Sequence, residues 1–344
     1  MYKYFSCLVL FVFAPLAFAH HSMAEYDFDT TQELQGQVAR FSWRNPHVEL
    51  TLSVKDVSGV ETLWEIEAQD INTMSRRGLN ATMISVGDNV RVAGHSSQRR
   101  PNNMSVTNLL LPNGIELRFR GNPEPRWGAE ENLGFGSQDV AEILAAVDIE
   151  AGKSQGLFRV WMRARSGGFP AELPLTNSSL VYRENWTEAD DPNIECRVPG
   201  MPSSMRLSPP HPIKILEQED GNIVVHIEFF DVFRTVHMNA NAELANQPVS
   251  AQGYSVGHWE DDVLVVNTSR IDWPFFDNMA KIPQSDAITT YERYELNEDG
   301  TQMAYELTVT DPFAFTEPVT GSWLMDWRPD MEMQEYDCIP PEDD

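Results

Sequence analysis

Three histidines near the start of the chain have the residue types and spacing of a copper site. His20 and His21 follow Ala17-Phe18-Ala19, which is typical of a signal-peptide cleavage site, so His20 would begin the mature chain. An N-terminal amine and its imidazole form a chelate that, with a second imidazole from His47, suits Cu(II). The alternative is a solvated N-terminus that binds nothing. Copper binding that survives a His20→Ala substitution would contradict the site.

A second group of residues could perform acid–base chemistry in the second half of the chain. A histidine beside a carboxylate can act as a general acid or base, which suggests His258 with Asp286 or Asp311. Arg293 could hold a substrate carboxylate through two hydrogen bonds. This hypothesis is an unclassified lyase, isomerase or hydrolase. The alternative is structural, with Arg293 in a local ion pair and Asp311 at a strand end.

Aromatic side chains of the second half are candidates for ligand contact. Trp259 ends a predicted strand, and Trp273, Phe275 and Phe276 fall in one predicted loop. These side chains could line an apolar pocket, or they could close the end of a barrel. The first interpretation gives the leading functional hypothesis, which is binding of a small, partly apolar molecule in the C-terminal domain.

The cysteines and the first 19 residues indicate an exported protein. Lys3 and an apolar run over residues 5–18 predict a secretory signal peptide over residues 1–19. The mature chain would then be periplasmic or secreted, where disulfides persist. Cys196 and Cys338 are therefore predicted to form a disulfide, with two separate thiols as the alternative. In the chain-entropy description, closing the loop between Cys196 and Cys338 contributes roughly 4–5 kcal/mol to the stability of the folded chain.

The charge and composition exclude some partners. The formal net charge is −27, and a surface this acidic repels the phosphates of nucleic acids. Hydrophobic residues make up 42% of the chain, which is enough for well-formed cores. After the signal peptide, no stretch is long and apolar enough to span a membrane. A small-molecule ligand or substrate is the partner that these features favour.

The elements of the first half predict an OB-like β-barrel over residues 20–118. Partly alternating apolar residues indicate strands over 34–43, 48–54, 62–68, 89–94 and 105–111. Residues 70–78 predict a short helix that Asp70 caps and Gly78 ends. Three strands, a helix and two strands follow the order of an OB barrel. Residues 119–170 are predicted to be a connector with a helix over 138–146 and a strand over 156–162 that belongs to the second domain.

The second half, residues 171–344, predicts an antiparallel barrel. Strands are indicated over 213–218, 223–229, 233–238, 254–259, 263–268, 288–296, 303–309, 323–327 and 331–336. Short turns between neighbours require antiparallel pairing. Because so many strands would leave exposed edges in an open sheet, we expect a closed, lipocalin-like barrel, with a two-sheet sandwich as the alternative.

Several motifs resemble those of known exported proteins. His20-His21-Ser22 and Trp43-Arg44-Asn45-Pro46-His47 resemble the signature of an exported bacterial family of unknown function. The second half resembles a secreted β-barrel-like domain, also of unknown function, that occurs in related bacterial proteins. The matching pieces there are Pro199-Gly-Met-Pro202, Gly253-Tyr-Ser-Val-Gly-His-Trp259, Ser285-Asp-Ala287, Glu292-Arg293 and Asp311-Pro312. The resemblance implies export and this domain organisation.

Overall fold

Two closed β-barrels make up the computed structural model of the chain, which confirms the predicted mainly β fold class. The structure describes residues 26–119, 123–134, 140–187, 190–193, 195–206, 211–238 and 246–340, without the side chains of residues 165 and 166. The predicted signal peptide, His20 and His21 lie outside these residues.

Five strands and one helix form the first barrel. The strands close in the order β1-β2-β3-β5-β4, with β5 parallel to β3 and the other pairs antiparallel. This is the predicted OB-like order, with the helix α1 between β3 and β4. The elements are β1 (Gln32–Ser42), β2 (Glu49–Lys55), β3 (Glu61–Glu67), α1 (Ile71–Arg76), β4 (Asn89–Ser96) and β5 (Asn103–Leu110).

The strand pattern and the helix cap of the first barrel follow directly from the sequence. Leu50 and Leu52 on β2 and Val90 and Val92 on β4 alternate with more exposed residues and point into one core. Asp70 caps α1, since its side chain accepts a hydrogen bond of 2.8 Å from the Thr73 amide.

The connector contributes short elements to both barrels. Two of them, β6 (Glu116–Arg118) and β7 (Asn132–Leu133), extend the first sheet beyond β5. Two short helices follow, α2 (Val140–Ala145) and α3 (Ile149–Lys153). The next strand, β8 (Val160–Gly168), lies within the residues predicted as connector but pairs with strands of the second barrel.

Nine strands close the second barrel, and each pairs with its neighbours in the chain. A helix, α4 (Asn177–Asn185), lies between β8 and the remaining strands. These are β9 (Ile213–Glu217), β10 (Ile223–Ile227), β11 (Val232–His237), β12 (Tyr254–Glu260), β13 (Val263–Ser269), β14 (Thr289–Leu296), β15 (Gln302–Thr310) and β16 (Val319–Trp327).

One pair of neighbouring strands in the second barrel is parallel. A closed barrel with an odd number of strands cannot alternate direction at every step, so at least one pair must run the same way. That pair is β11 and β12, where Val236 lies opposite Ser255. Parallel neighbours need a long crossover connection, and the long stretch between these two strands provides one.

The strand predicted over residues 331–336 is wrong. A closed barrel offers no free edge to a tenth strand, and these residues instead begin a C-terminal tail, residues 331–340, that runs between the two barrels. Asn72 of α1 donates to the Glu335 carbonyl at 3.2 Å, and Ile339 donates to the Asn45 carbonyl at 3.1 Å. The tail also carries Cys338, which is bonded to Cys196 as predicted.

Within the described part of the chain, no helix has both the length and the apolar character needed to cross a bilayer.

Candidate functional site

The long connections of the second barrel gather at one end. At this end β8 and β13 finish and β14 and β16 begin, as their pairing shows: Thr268 lies opposite Thr290, and Ser322 lies opposite Gly168. We call it the loop end. The described parts of residues 169–206 pack there with the loop between β13 and β14 and the loop between β15 and β16. Trp273 donates to Ser203, and Thr176 donates to the Phe313 carbonyl.

A pocket of about 380 Å³ opens at the loop end. Phe169 and Trp323 form its aromatic walls, with ring centroids 5.4 Å apart and planes nearly perpendicular. Gly321 makes the position of the Trp323 ring possible, because a Cβ at Gly321 would lie 2.5 Å from that ring. The remaining lining residues are Arg163, Gly167, Gly168, Pro170, Ala171, Leu173 and Arg206.

Arg206 places a guanidinium group at the base of this pocket. The group lies over two rings, 4.8 Å from the centre of Phe276 and 5.4 Å from the centre of Phe169. Its Nη1 atom is buried, and no described residue accepts a hydrogen bond from it. Among the described residues, no carboxylate lies within ion-pair distance of Arg206. The Nε1 of Trp323 is likewise buried without an acceptor in the described part of the chain.

Arg163 brings a second guanidinium group to the pocket. It donates to the Gly167 carbonyl at 2.5 Å and lies 5.9 Å from the centre of the Trp323 ring. Burial lowers the pKa of Arg163. Burial also lowers the pKa of Arg206, where the charge of Asp277 opposes the effect and the charge of Arg163 adds to it. The two guanidinium groups are therefore close enough to repel each other, which favours an anion between them.

The aromatic residues predicted to bind a ligand separate into two groups. Phe276 is fully buried beneath Arg206 and packs on Phe169, with ring centroids 4.9 Å apart. Trp273 is also buried and donates to Ser203 Oγ at 3.1 Å, while Phe275 packs edge-on against it. These three close the loop end, and Phe276 supports the pocket. Trp259 lies on the hairpin between β12 and β13 and is exposed.

The structure does not bring the predicted catalytic residues together. His258 and Arg293 lie on the outer surface, where both contact Glu260, at 3.2 and 3.1 Å. Asp286 is exposed in the loop that precedes β14. The first residue of β14 is Thr289, and Arg293 lies four residues further along the strand. Four residues of strand span about 13 Å, so His258 is far from Asp286.

Asp311 follows the last residue of β15 and organises the loop end. It is buried, and its carboxylate accepts hydrogen bonds from the Ser285 amide and hydroxyl, each at 2.7 Å, and from the Phe313 amide at 3.0 Å. These contacts describe a structural carboxylate that fixes two loops.

A Gly-x-Ser-x-Gly pattern at Gly253-Tyr-Ser-Val-Gly257 is not among the candidates above, although hydrolases use this spacing at a strand-to-helix turn. Here Ser255 lies within β12 and points into the barrel. Its Oγ accepts from Arg234 Nε at 2.9 Å and lies 2.9 Å from the Thr268 hydroxyl. Among the described residues, no histidine forms a hydrogen bond with Ser255, so the geometry does not make it a nucleophile.

His47 is the one member of the predicted copper site that the structure describes. Its Nδ1 lies 3.1 Å from the Ala68 carbonyl and 3.3 Å from Glu67. The copper site itself stays a prediction, because His20 and His21 lie outside the described residues.

A larger groove, of about 560 Å³, lies on the first barrel, but three of its polar side chains, Glu33, His95 and Asn108, already have partners. Glu33 accepts from Arg126 and Arg91, at 2.5 and 3.1 Å. Asn108 donates to Glu116 at 2.7 Å, and His95 lies 2.8 Å from the Thr30 carbonyl. Because these side chains already have hydrogen-bond partners, the groove offers a ligand fewer polar groups to bind than the loop-end pocket does.

Neither guanidinium group of the pocket was predicted from the sequence, although the distribution of acidic residues along the chain could have indicated both. Residues 151–171 and 196–216 contain no aspartate or glutamate, in a chain with 52 acidic residues. Arg163 lies in the first of these segments and Arg206 in the second. Two basic segments in an acidic chain indicate a positive site once the fold brings them together.

The comparisons with known proteins concern the first barrel only. Residues 9–105 match a family described as "Family of unknown function (DUF6152)". The match ends just inside β5, so it reaches no part of the second barrel. No curated protein and no solved structure matches the chain.

Proposed function

We propose that this chain binds a small, partly apolar molecule in the loop-end pocket of its second barrel. The observation that carries the proposal is a pocket with two aromatic walls, Phe169 and Trp323, that two guanidinium groups, Arg163 and Arg206, also line. A bound molecule would cover the rings and pair with the accessible edges of the guanidinium groups. Small-molecule sites commonly combine apolar walls with a few polar groups of this kind.

The binding site lies at the mouth of the barrel rather than along its axis. Large side chains occupy the interior at the level of β14 to β16, among them Tyr294, Tyr305 and Met325, all fully buried. The pocket volume of about 380 Å³ falls at the lower end of the range for small-molecule sites. It suits a molecule with one or two rings.

A substitution that fills the pocket tests this proposal. Ala171 lines the pocket and is exposed, so an Ala171→Trp side chain has room to enter the pocket without disturbing the core. We expect calorimetric titration with one- and two-ring aromatic compounds, including neutral, anionic and cationic ones, to find ligands of the wild-type chain. Ala171→Trp should weaken their binding about tenfold or more, because the indole occupies their volume.

Ala304→Trp is the matched control, since Ala304 is exposed on the outer face of β15. It should leave both ligand affinity and thermal stability unchanged. Binding that Ala171→Trp does not weaken would place the ligand elsewhere and would refute the proposed site.

A further inference from the structure

We propose that the ligand of the loop-end pocket carries a carboxylate group and that Arg206, assisted by Arg163, recognises it. This inference rests on the proposed function, because it names the chemistry of a molecule that is proposed to bind there. The inference assigns an anionic group to the ligand, and an apolar pocket alone would not require one.

The guanidinium of Arg206 is the first argument. It lines the pocket, no described residue accepts a hydrogen bond from it, and the rings of Phe276 and Phe169 cover its flat side. Its Nη1 is buried in the protein, so an acceptor in the pocket would meet the edge formed by Nε and Nη2. A carboxylate fits such an edge with two parallel hydrogen bonds.

The local charge is the second argument. The formal charge of the chain is −27, yet the segments that supply the two guanidinium groups, residues 151–171 and 196–216, contain no acidic residue. Asp277 acts on Arg206 only from beyond ion-pair distance. Glu172 stands between the lining residues Ala171 and Leu173, but the described lining itself includes two arginines and no carboxylate. The pocket is thus a positive site in an acidic molecule, and it attracts anions that the rest of the surface repels.

The surroundings of the arginines favour a monoanion over a phosphate. Burial lowers the pKa of both Arg163 and Arg206, so the pocket disfavours concentrated charge. Removing a doubly charged phosphate from water costs more than removing a carboxylate. The aromatic walls Phe169 and Trp323 favour an apolar body attached to that carboxylate.

Three probes with the same ring system test the inference on the full chain: 2-naphthoate, 2-naphthamide and 2-naphthyl phosphate. We expect calorimetry to show that the wild-type chain binds the naphthoate about tenfold or more tightly than the neutral amide. Arg206→Gln should remove this preference and leave the affinity for the amide nearly unchanged. Arg206→Lys, which keeps the charge but lacks the planar pair of parallel N–H donors, should retain part of the preference.

Arg197→Gln is the matched control. Arg197 belongs to the same acid-free segment and lies over Trp273, but it does not line the pocket. It should keep the preference of the wild-type chain, which separates local recognition from loss of one positive charge.

The outcomes distinguish this inference from the proposed function. Equal binding of naphthoate and naphthamide would overturn the carboxylate and leave the pocket as a binding site. Tighter binding of the phosphate than of the naphthoate would also overturn it. Failure of all three probes to bind the wild-type chain would count against the proposed function itself. The wild-type comparison decides these cases even if Arg206→Gln does not fold.

Discussion

At the residue scale, the second barrel contains two arginines whose surroundings differ in kind. Arg234 lies inside the barrel and is saturated: Nε donates to Ser255, Nη1 to Glu292 at 2.9 Å, and Nη2 to Glu292 and to Thr268. Burial alone would lower its pKa, but the Glu292 carboxylate outweighs this and raises it. Arg206 has no such partner among the described residues. A saturated buried pair indicates structure, and an unsaturated group at a pocket indicates binding.

Breaking the interior pair should destabilise the barrel strongly. Glu292→Gln leaves the charge of Arg234 buried without a counter-ion, and such a change costs roughly 3–5 kcal/mol. Two further donors, the hydroxyls of Tyr294 and Tyr305, also lose a charged acceptor. Urea denaturation should show the loss as a lower midpoint, and the double variant Arg234→Met/Glu292→Leu should recover most of it.

The neighbouring residue supplies the control for that measurement. Arg293 follows Glu292 on β14 but lies on the outer surface, where its pair with Glu260 is exposed to solvent. Arg293→Met should therefore leave the denaturation midpoint close to that of the wild-type chain. A similar effect of the interior and exterior substitutions would show that the buried network has no special role.

At the scale of elements, the sequence predicts strands and turns, which depend on neighbouring residues, and misses contacts between distant segments. Alternating apolar residues and short turns predict the hairpin of β12 and β13 closely, since both signals lie within a few residues. The strand predicted over 223–229 is too long at its end: β10 ends at Ile227, and Glu228 is buried and accepts from Arg76. The pocket was missed because Arg163, Arg206 and Trp323 come from distant segments.

The C-terminal tail is an element that the disulfide should hold in place. Cys338 pairs with Asn45 of the first barrel through a backbone bridge and is bonded to Cys196 of the second domain. Replacing both cysteines by serine removes a constraint on a long loop, and the chain-entropy description assigns this roughly 4–5 kcal/mol. We expect a lower denaturation midpoint and faster proteolysis within residues 331–340. An unchanged cleavage rate there would show that hydrogen bonds alone hold the tail.

At the scale of the whole molecule, one buried charged cluster joins the two barrels. Glu228 of the second barrel accepts from Arg76 of α1 and from the Gln334 amide of the tail. His211 is buried between two carboxylates, with Nδ1 3.3 Å from Glu228 and Nε2 3.6 Å from Asp70. Burial lowers the pKa of His211, but the charges of Asp70 and Glu228 outweigh this and raise it to about 9.

The cluster should make the stability of the molecule depend on pH in a defined direction. Because the pKa of His211 is raised from its usual 6.5 to about 9, its contribution is complete below pH 6.5 and is lost as the pH rises through 9. The pKa values of Asp70 and Glu228 are lowered: burial raises each, but His211 and their hydrogen bonds outweigh it. Their contribution is lost in acid, so the cluster stabilises most between about pH 4.5 and 6.5.

Denaturation of the wild-type chain and of His211→Gln at pH 6.5 and pH 9.5 measures this contribution. The wild-type chain should lose on the order of 2–3 kcal/mol of unfolding free energy over that interval, beyond any loss seen in His211→Gln. His258→Gln, at an exposed position on the outer surface, should keep the wild-type dependence. Equal losses in the wild-type chain and in His211→Gln would mean that the histidine is neutral in the folded protein. The two barrels would then be held together by packing and by the pair of Arg76 with Glu228.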